Sequence, residues 1–203
     1  MLIVLLDCSR SMREEFRGEP PAGADEGGGH GVRKLDIGLR VLRETLVSAP
    51  SAELAVVVAF AGSTTELARG RSIGGVDLQW RIETAELGRG TDLPAALAAS
   101  ASILRARPTL RSSGKIVLIT DGLLDGRPDA HLEPVVDDLA ALSAAVQVVL
   151  IDPTERGLEV ARRIARSRVP RLVTATDARS PAGAASARGA SVAMPRSRRV
   201  SNM

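Results

Sequence analysis

Leu2-Ile3-Val4-Leu5-Leu6-Asp7-Cys8-Ser9-Arg10-Ser11 is the stretch on which the fold turns. A continuous apolar run, β-branched and leucine, gives way at one residue to Asp, Ser and Ser at alternate positions. Such a run has no polar side, so it reads as a strand buried on both faces, as in a parallel sheet. The polar residues begin where the strand stops, and in open α/β sheets the loops at the carboxyl ends of the strands are where ligands bind. An acid and two hydroxyls at alternate positions can turn three oxygens to one point, which is the donor chemistry of hard cations such as Mg²⁺ and Mn²⁺. Asp-x-Ser after a strand is also a common turn or helix N-cap. Residues 7–11 therefore carry weight only if other strand ends supply further ligands.

Composition narrows the setting. A chain of 203 residues is long enough for one well-buried domain with a tail to spare. Hydrophobic content of 44% is that of a globular protein, and aromatics at 1% with no Tyr leave a core of Val, Ile, Leu and Ala. So few aromatics also disfavour stacking platforms for single-stranded nucleic acid. The net charge of +3 and pI of about 9.9 invite a nucleic-acid reading. Residues 178–203, however, hold Arg179, Arg188, Arg196, Arg198 and Arg199 and no acid, so the remainder is slightly acidic. The basicity belongs to an Ala/Ser/Gly/Arg tail that is expected to be disordered, and nucleic acid is disfavoured as a partner. The lone cysteine, Cys8, excludes an internal disulfide and fits a reducing cytosol. With His30 and His131 in unrelated contexts, it reads as a small core-facing residue rather than a nucleophile. Met1–Leu6 is too short for a signal-peptide core and lacks a basic flank, and no stretch reaches the length of a membrane span. The expectation is a cytoplasmic protein.

Along the chain, residues 12–33 are rich in Gly, Pro and acid and are expected to form a long mobile loop beside the first strand end. Lys34 to Ala49 has helical periodicity and ends near Pro50. Leu54 to Phe60 is a second buried strand with Phe60 in the core, Ser63 to Leu67 a short edge strand, and Val76 to Leu87 a helix with Trp80 packed on the sheet. Leu93 to Arg105 is helical, with Pro94 tolerated in its first turn. Lys115 to Thr120 and Val146 to Ile151 are strands, Leu132 to Ser143 and Glu155 to Arg168 helices, and Arg171 to Thr174 a last short strand. This alternation predicts an α/β domain over residues 1–177. Its core is a doubly wound, mostly parallel sheet flanked by helices, a Rossmann-like arrangement, and residues 178–203 form the tail.

Three strand-end loops then carry oxygen-rich signatures: DCSRSM at 7–12, GRGTDLPAAL at 88–97 and ITDGLLDG at 119–126. Crossovers of a doubly wound sheet bring such ends to one edge. Two carboxylates and three hydroxyls around one point make a site of few charges, where a cation stays electrophilic and keeps a position open. In this order and spacing the loops resemble the von Willebrand factor A domains with their metal-ion-dependent adhesion site, or MIDAS, whose pattern is D-x-S-x-S, a later Thr, then an Asp usually followed by Gly. The resemblance covers about residues 1–175. It implies that Ser9, Ser11 and Thr91 ligate the metal through their hydroxyls, with Asp7 and Asp121 acting directly or through water. Asp92 lies outside the pattern and is read as the cap of the following helix; Asp125 and Asp129 are read as turn formers. Arg10 stands where a Gly is usual and would bring a cation beside the metal. Compact bacterial intracellular members of the family look most similar.

The resemblance implies a protein–protein interaction module without catalysis, in which Mg²⁺ or Mn²⁺ at the MIDAS accepts an Asp or Glu carboxylate of a partner protein. The alternative is Mg²⁺-dependent phosphoryl transfer with Asp7 as nucleophile, because haloacid-dehalogenase-type phosphatases also place an Asp at the end of their first strand. Those need a second acid two residues on, where this chain has Ser9, and no P-loop pattern is present. A third possibility is a scaffold whose strand-end polar residues are only caps and turns.

Overall fold

β1 (Leu2–Asp7) is buried along its whole length because both of its edges and both of its faces are covered. Its edges pair in parallel with β2 (Ala55–Phe60) and β4 (Lys115–Thr120). Beyond them lie β3 (Thr64–Gly70), β5 (Ala145–Ile151) and β6 (Arg171–Val173), giving six strands in the order β3-β2-β1-β4-β5-β6. Only β3 runs antiparallel. The computed structural model describes residues 1–17, 31–49, 54–71, 73, 76–107, 114–123, 129–166 and 171–173. The expected tail and the central part of the 12–33 segment lie outside these residues.

Side chains of a strand point alternately to the two faces, so β1 feeds two cores. Leu2, Val4, Leu6 and Cys8 pack on one side with Leu35, Ile37 and Leu42 of α1 (Lys34–Ser48) and Leu78 and Ile82 of α2 (Leu78–Thr84). Ile3 and Leu5 pack on the other, with Leu93, Leu97 and Leu104 of α3 (Leu93–Arg105), Leu132 and Leu139 of α4 (Asp129–Ala141) and Ile164 of α5 (Glu155–Ala165). Fully buried parallel strands with helices on both faces are the doubly wound α/β architecture expected from the apolar runs. Phe60 is fully buried in the second core.

Several boundaries differ from expectation for local reasons. β3 continues to Gly70, since its pairing with β2 carries on past a register shift at Val57/Val58. α2 starts only at Leu78 because Asp77 caps it, its Oδ1 accepting a hydrogen bond from Trp80 N at 3.0 Å. Trp80 does not pack on the sheet: it is 61% exposed, and Leu78 and Ile82 take the inward positions. The 12–33 segment is not loop throughout. Met12 is fully buried in a short 3-10 turn (Ser11–Arg13), and Phe16 N donates to Val32 O at 2.8 Å beside a Glu15–Arg33 bridge. The segment's two ends are thus tied together, and Lys34 N donates to Glu14 O at 3.1 Å, which holds the start of α1 against the end of the 3-10 turn.

Among the described residues no helix is long and apolar enough to cross a membrane.

Candidate metal centre

The register of the central strands sets the site. Asp7 pairs with Phe60, and Leu6 with Ile119, so β1, β2 and β4 end level and Asp7 lies beside Thr120. Thr120 Oγ1 donates to Asp7 Oδ2 at 2.6 Å and accepts from Gly122 N at 3.0 Å, which ties the first and third loops together. Asp7 Oδ1 accepts from Ser9 N at 2.9 Å, turning the chain so that Ser9 Oγ and Ser11 Oγ stand 3.2 Å apart. Asp121 Oδ1 accepts from Leu123 N at 3.1 Å in the same kind of turn. Both carboxylates are completely buried.

Thr91 reaches this edge through β2. Asp92 N donates to Ala61 O at 2.7 Å and Ser63 N to Leu87 O at 2.8 Å, so residues 87–92 lie against the 61–63 turn. Gly88 and Gly90 take positive φ of 69° and 96° to make the bend. The approach is so close that a Cβ on Gly62 would sit 2.0 Å from Arg89 O. Thr91 is buried, and among the described residues its hydroxyl makes no hydrogen bond. Asp92 Oδ1 accepts from Ala95 N at 2.9 Å, the helix cap expected of it.

Burial dominates the electrostatics. It pushes the Asp7 carboxyl up to about 6, against hydrogen bonds from Thr120 and Ser9 that favour ionisation, with the nearby Asp121 charge adding to the rise. A buried carboxylate is costly without a positive partner; Asp121 has one in Lys34, 3.2 Å away, whereas Asp7 makes no ion pair among the described residues. Two carboxylates with the neighbouring Ser9 and Ser11 hydroxyls are an oxygen-only donor set, the kind that suits Mg²⁺ or Mn²⁺ rather than Zn²⁺. Among the described residues no three His, Cys, Asp or Glu gather at one point, so hydroxyls are a necessary part of any such set. The residues present fit a hard divalent ion.

The structure also brings in groups that sequence reasoning missed. Lys34, the first residue of α1, is buried, and its Nζ donates to Asp121 Oδ2 at 3.2 Å and lies 3.9 Å from Asp152 Oδ2 at the end of β5. The cation beside the carboxylates is therefore Lys34, whereas Arg10 is exposed. One signal was available: of 27 basic residues only Lys34 and Lys115 are lysine. Thr120 and Asp152 had no signature of their own.

Cys8 is buried with Sγ 3.6 Å from Leu6 O, and burial beside the Asp7 charge pushes its thiol up to about 12. A thiol at that value is not a nucleophile at neutral pH. Ellman's reagent is expected to leave the native protein unmodified and to titrate one thiol after unfolding in guanidinium; rapid reaction of the native protein would show Cys8 accessible.

No protein-family model matches the sequence, and no curated protein matches it significantly. Solved structures do match in fold. BatB from Bacteroides thetaiotaomicron is 14% identical, with a TM-score of 0.60 over 85% of this chain and 89% of that one. The SpRpn10 VWA domain is 11% identical, with a TM-score of 0.61 over 85% and 86%. The manganese-loaded TRAP protein of Plasmodium vivax is 17% identical, with a TM-score of 0.57 over 87% and 69%. The chain has the fold of von Willebrand factor A domains.

Proposed function

We propose that this domain is a metal-dependent protein-binding module of the MIDAS type. Ser9, Ser11 and Thr91 would hold Mg²⁺ or Mn²⁺ through their hydroxyls, with Asp7 and Asp121 as direct or water-bridged carboxylate ligands. The ion would supply an open coordination position for an Asp or Glu carboxylate of a partner protein. The observation that carries this reading is the meeting of two fully buried carboxylates with converging hydroxyls at the level ends of β1 and β4. The manganese-loaded TRAP structure, similar in fold, supports a divalent ion in this architecture.

Binding without catalysis is the reading favoured over phosphoryl transfer. Phosphoryl transfer from an Asp nucleophile at this place calls for a second acid two residues on to protonate the leaving group, and that position is Ser9. A reducing, cytoplasmic setting belongs to the same proposal, supported by the single buried thiol.

Calorimetric titration with Mn²⁺ and Mg²⁺ tests it. The wild type is expected to bind one ion. Thr91→Ala removes a hydroxyl that bonds nothing else among the described residues, so its fold is kept while affinity falls about tenfold or more, roughly 1.4 kcal/mol. Equal binding by both proteins would place the ion elsewhere.

A further inference from the structure

The buried lysine bears on how this site fills. Lys34 is 4% exposed, and its ammonium sits against Asp121, one of the two carboxylates at the strand ends. A primary ammonium is a compact point charge with donors pointing freely, unlike the planar guanidinium. The chain uses Arg at 25 of its 27 basic positions, so Lys here is a departure from its own habit. A second acceptor lies within reach: Asp152, whose side chain is 25% exposed, stands 3.9 Å from the same nitrogen. Asp152 is one of three non-glycine described residues at positive φ, 47°, a conformation that aims a residue at local cost.

We propose that the Lys34 ammonium is a built-in counter-ion of Asp121 that a divalent cation must displace, Lys34 passing to Asp152 as the ion takes Asp121. This rests on the metal-binding reading above and adds a regulator to it. Three effects share one sign. Lys34 competes for Asp121 Oδ2, repels an incoming cation across a poorly screened distance, and neutralises the charge that would otherwise attract it. Asp152 keeps the displaced ammonium from being left buried and unpaired, which is what makes the exchange feasible.

The test is Mn²⁺ binding by calorimetry to the wild type, Lys34→Met and Asp152→Asn. Lys34→Met is expected to bind about tenfold tighter. Asp152→Asn is expected to bind more weakly, and to have no such effect in the Lys34→Met background. Where Lys34→Met does not fold, the wild type decides by amine acylation read by mass spectrometry. Only two lysines are present, and exposed Lys115 serves as the internal reference. Lys34 is expected to be protected without metal and to acylate faster when Mn²⁺ is added. Wild-type binding with no gain in Lys34→Met, or with Lys34 acylation unchanged by bound Mn²⁺, overturns the exchange and leaves the metal reading standing. No binding by either protein overturns both.

Discussion

Asp121→Ala is expected to lower the unfolding free energy by about 3–5 kcal/mol, the range seen when one partner of a buried ion pair is removed. For a domain of this size that corresponds to a fall in melting temperature on the order of 10 °C. The loss is large because of what stays behind. The Lys34 side chain is 6% exposed and, among the described residues, would keep only Asp152 at 3.9 Å, while Leu123 N would lose its acceptor. The double variant Lys34→Met/Asp121→Leu removes both charges at similar volume and is expected to recover most of the stability, since an apolar pair replaces an ion pair at little or no cost. Denaturant unfolding of the wild type, Lys34→Met, Asp121→Leu and the double variant gives the coupling directly. A loss below about 1 kcal/mol in Asp121→Ala would mean that water reaches and screens the pair.

Gly62→Ala is expected to cost about 3 kcal/mol and to weaken cation binding about tenfold or more. The added Cβ would lie 2.0 Å from Arg89 O and 2.8 Å from Arg89 C, backbone atoms that can clear it only if the whole 87–92 loop withdraws. Withdrawal breaks the hydrogen bonds Asp92 N to Ala61 O and Ser63 N to Leu87 O, and shifts Thr91, which lies in the same loop. Gly88→Ala is the control. Its φ of 69° is strained for Ala, but the nearest atoms stand 3.8 Å away, so about 1 kcal/mol is expected with the loop in place. Thermal unfolding with and without Mn²⁺ measures both effects. If Gly62→Ala binds the ion as tightly as the wild type, Thr91 is not a ligand.

Much of this was legible because it depends on neighbours in sequence. The unbroken apolar runs of β1, β2 and β4 predicted strands covered on both faces, and the Asp92 cap followed from an acid ahead of Leu93-Pro94. Trp80 was misread, since Asp77 sets the start of α2 and so turns Leu78 and Ile82, not Trp80, toward the sheet. Met12 was misread as loop because one methionine in a Gly- and acid-rich stretch has no periodicity to reveal its burial.

The candidate site divides along the same line. Asp7, Ser9, Ser11, Thr91 and Asp121 stood out because each lies in a short polar loop after a strand or a Gly turn, a pattern written in consecutive residues. Lys34 looked like the first turn of an amphipathic helix, and its partner Asp121 is 87 residues away. By itself the sequence determined where strands end and which of their loops carry oxygen, because backbone preference and burial periodicity act over a few residues. Only the tertiary structure decided which cation faces those oxygens, because a charge pair depends on distance in space between elements that share no local pattern.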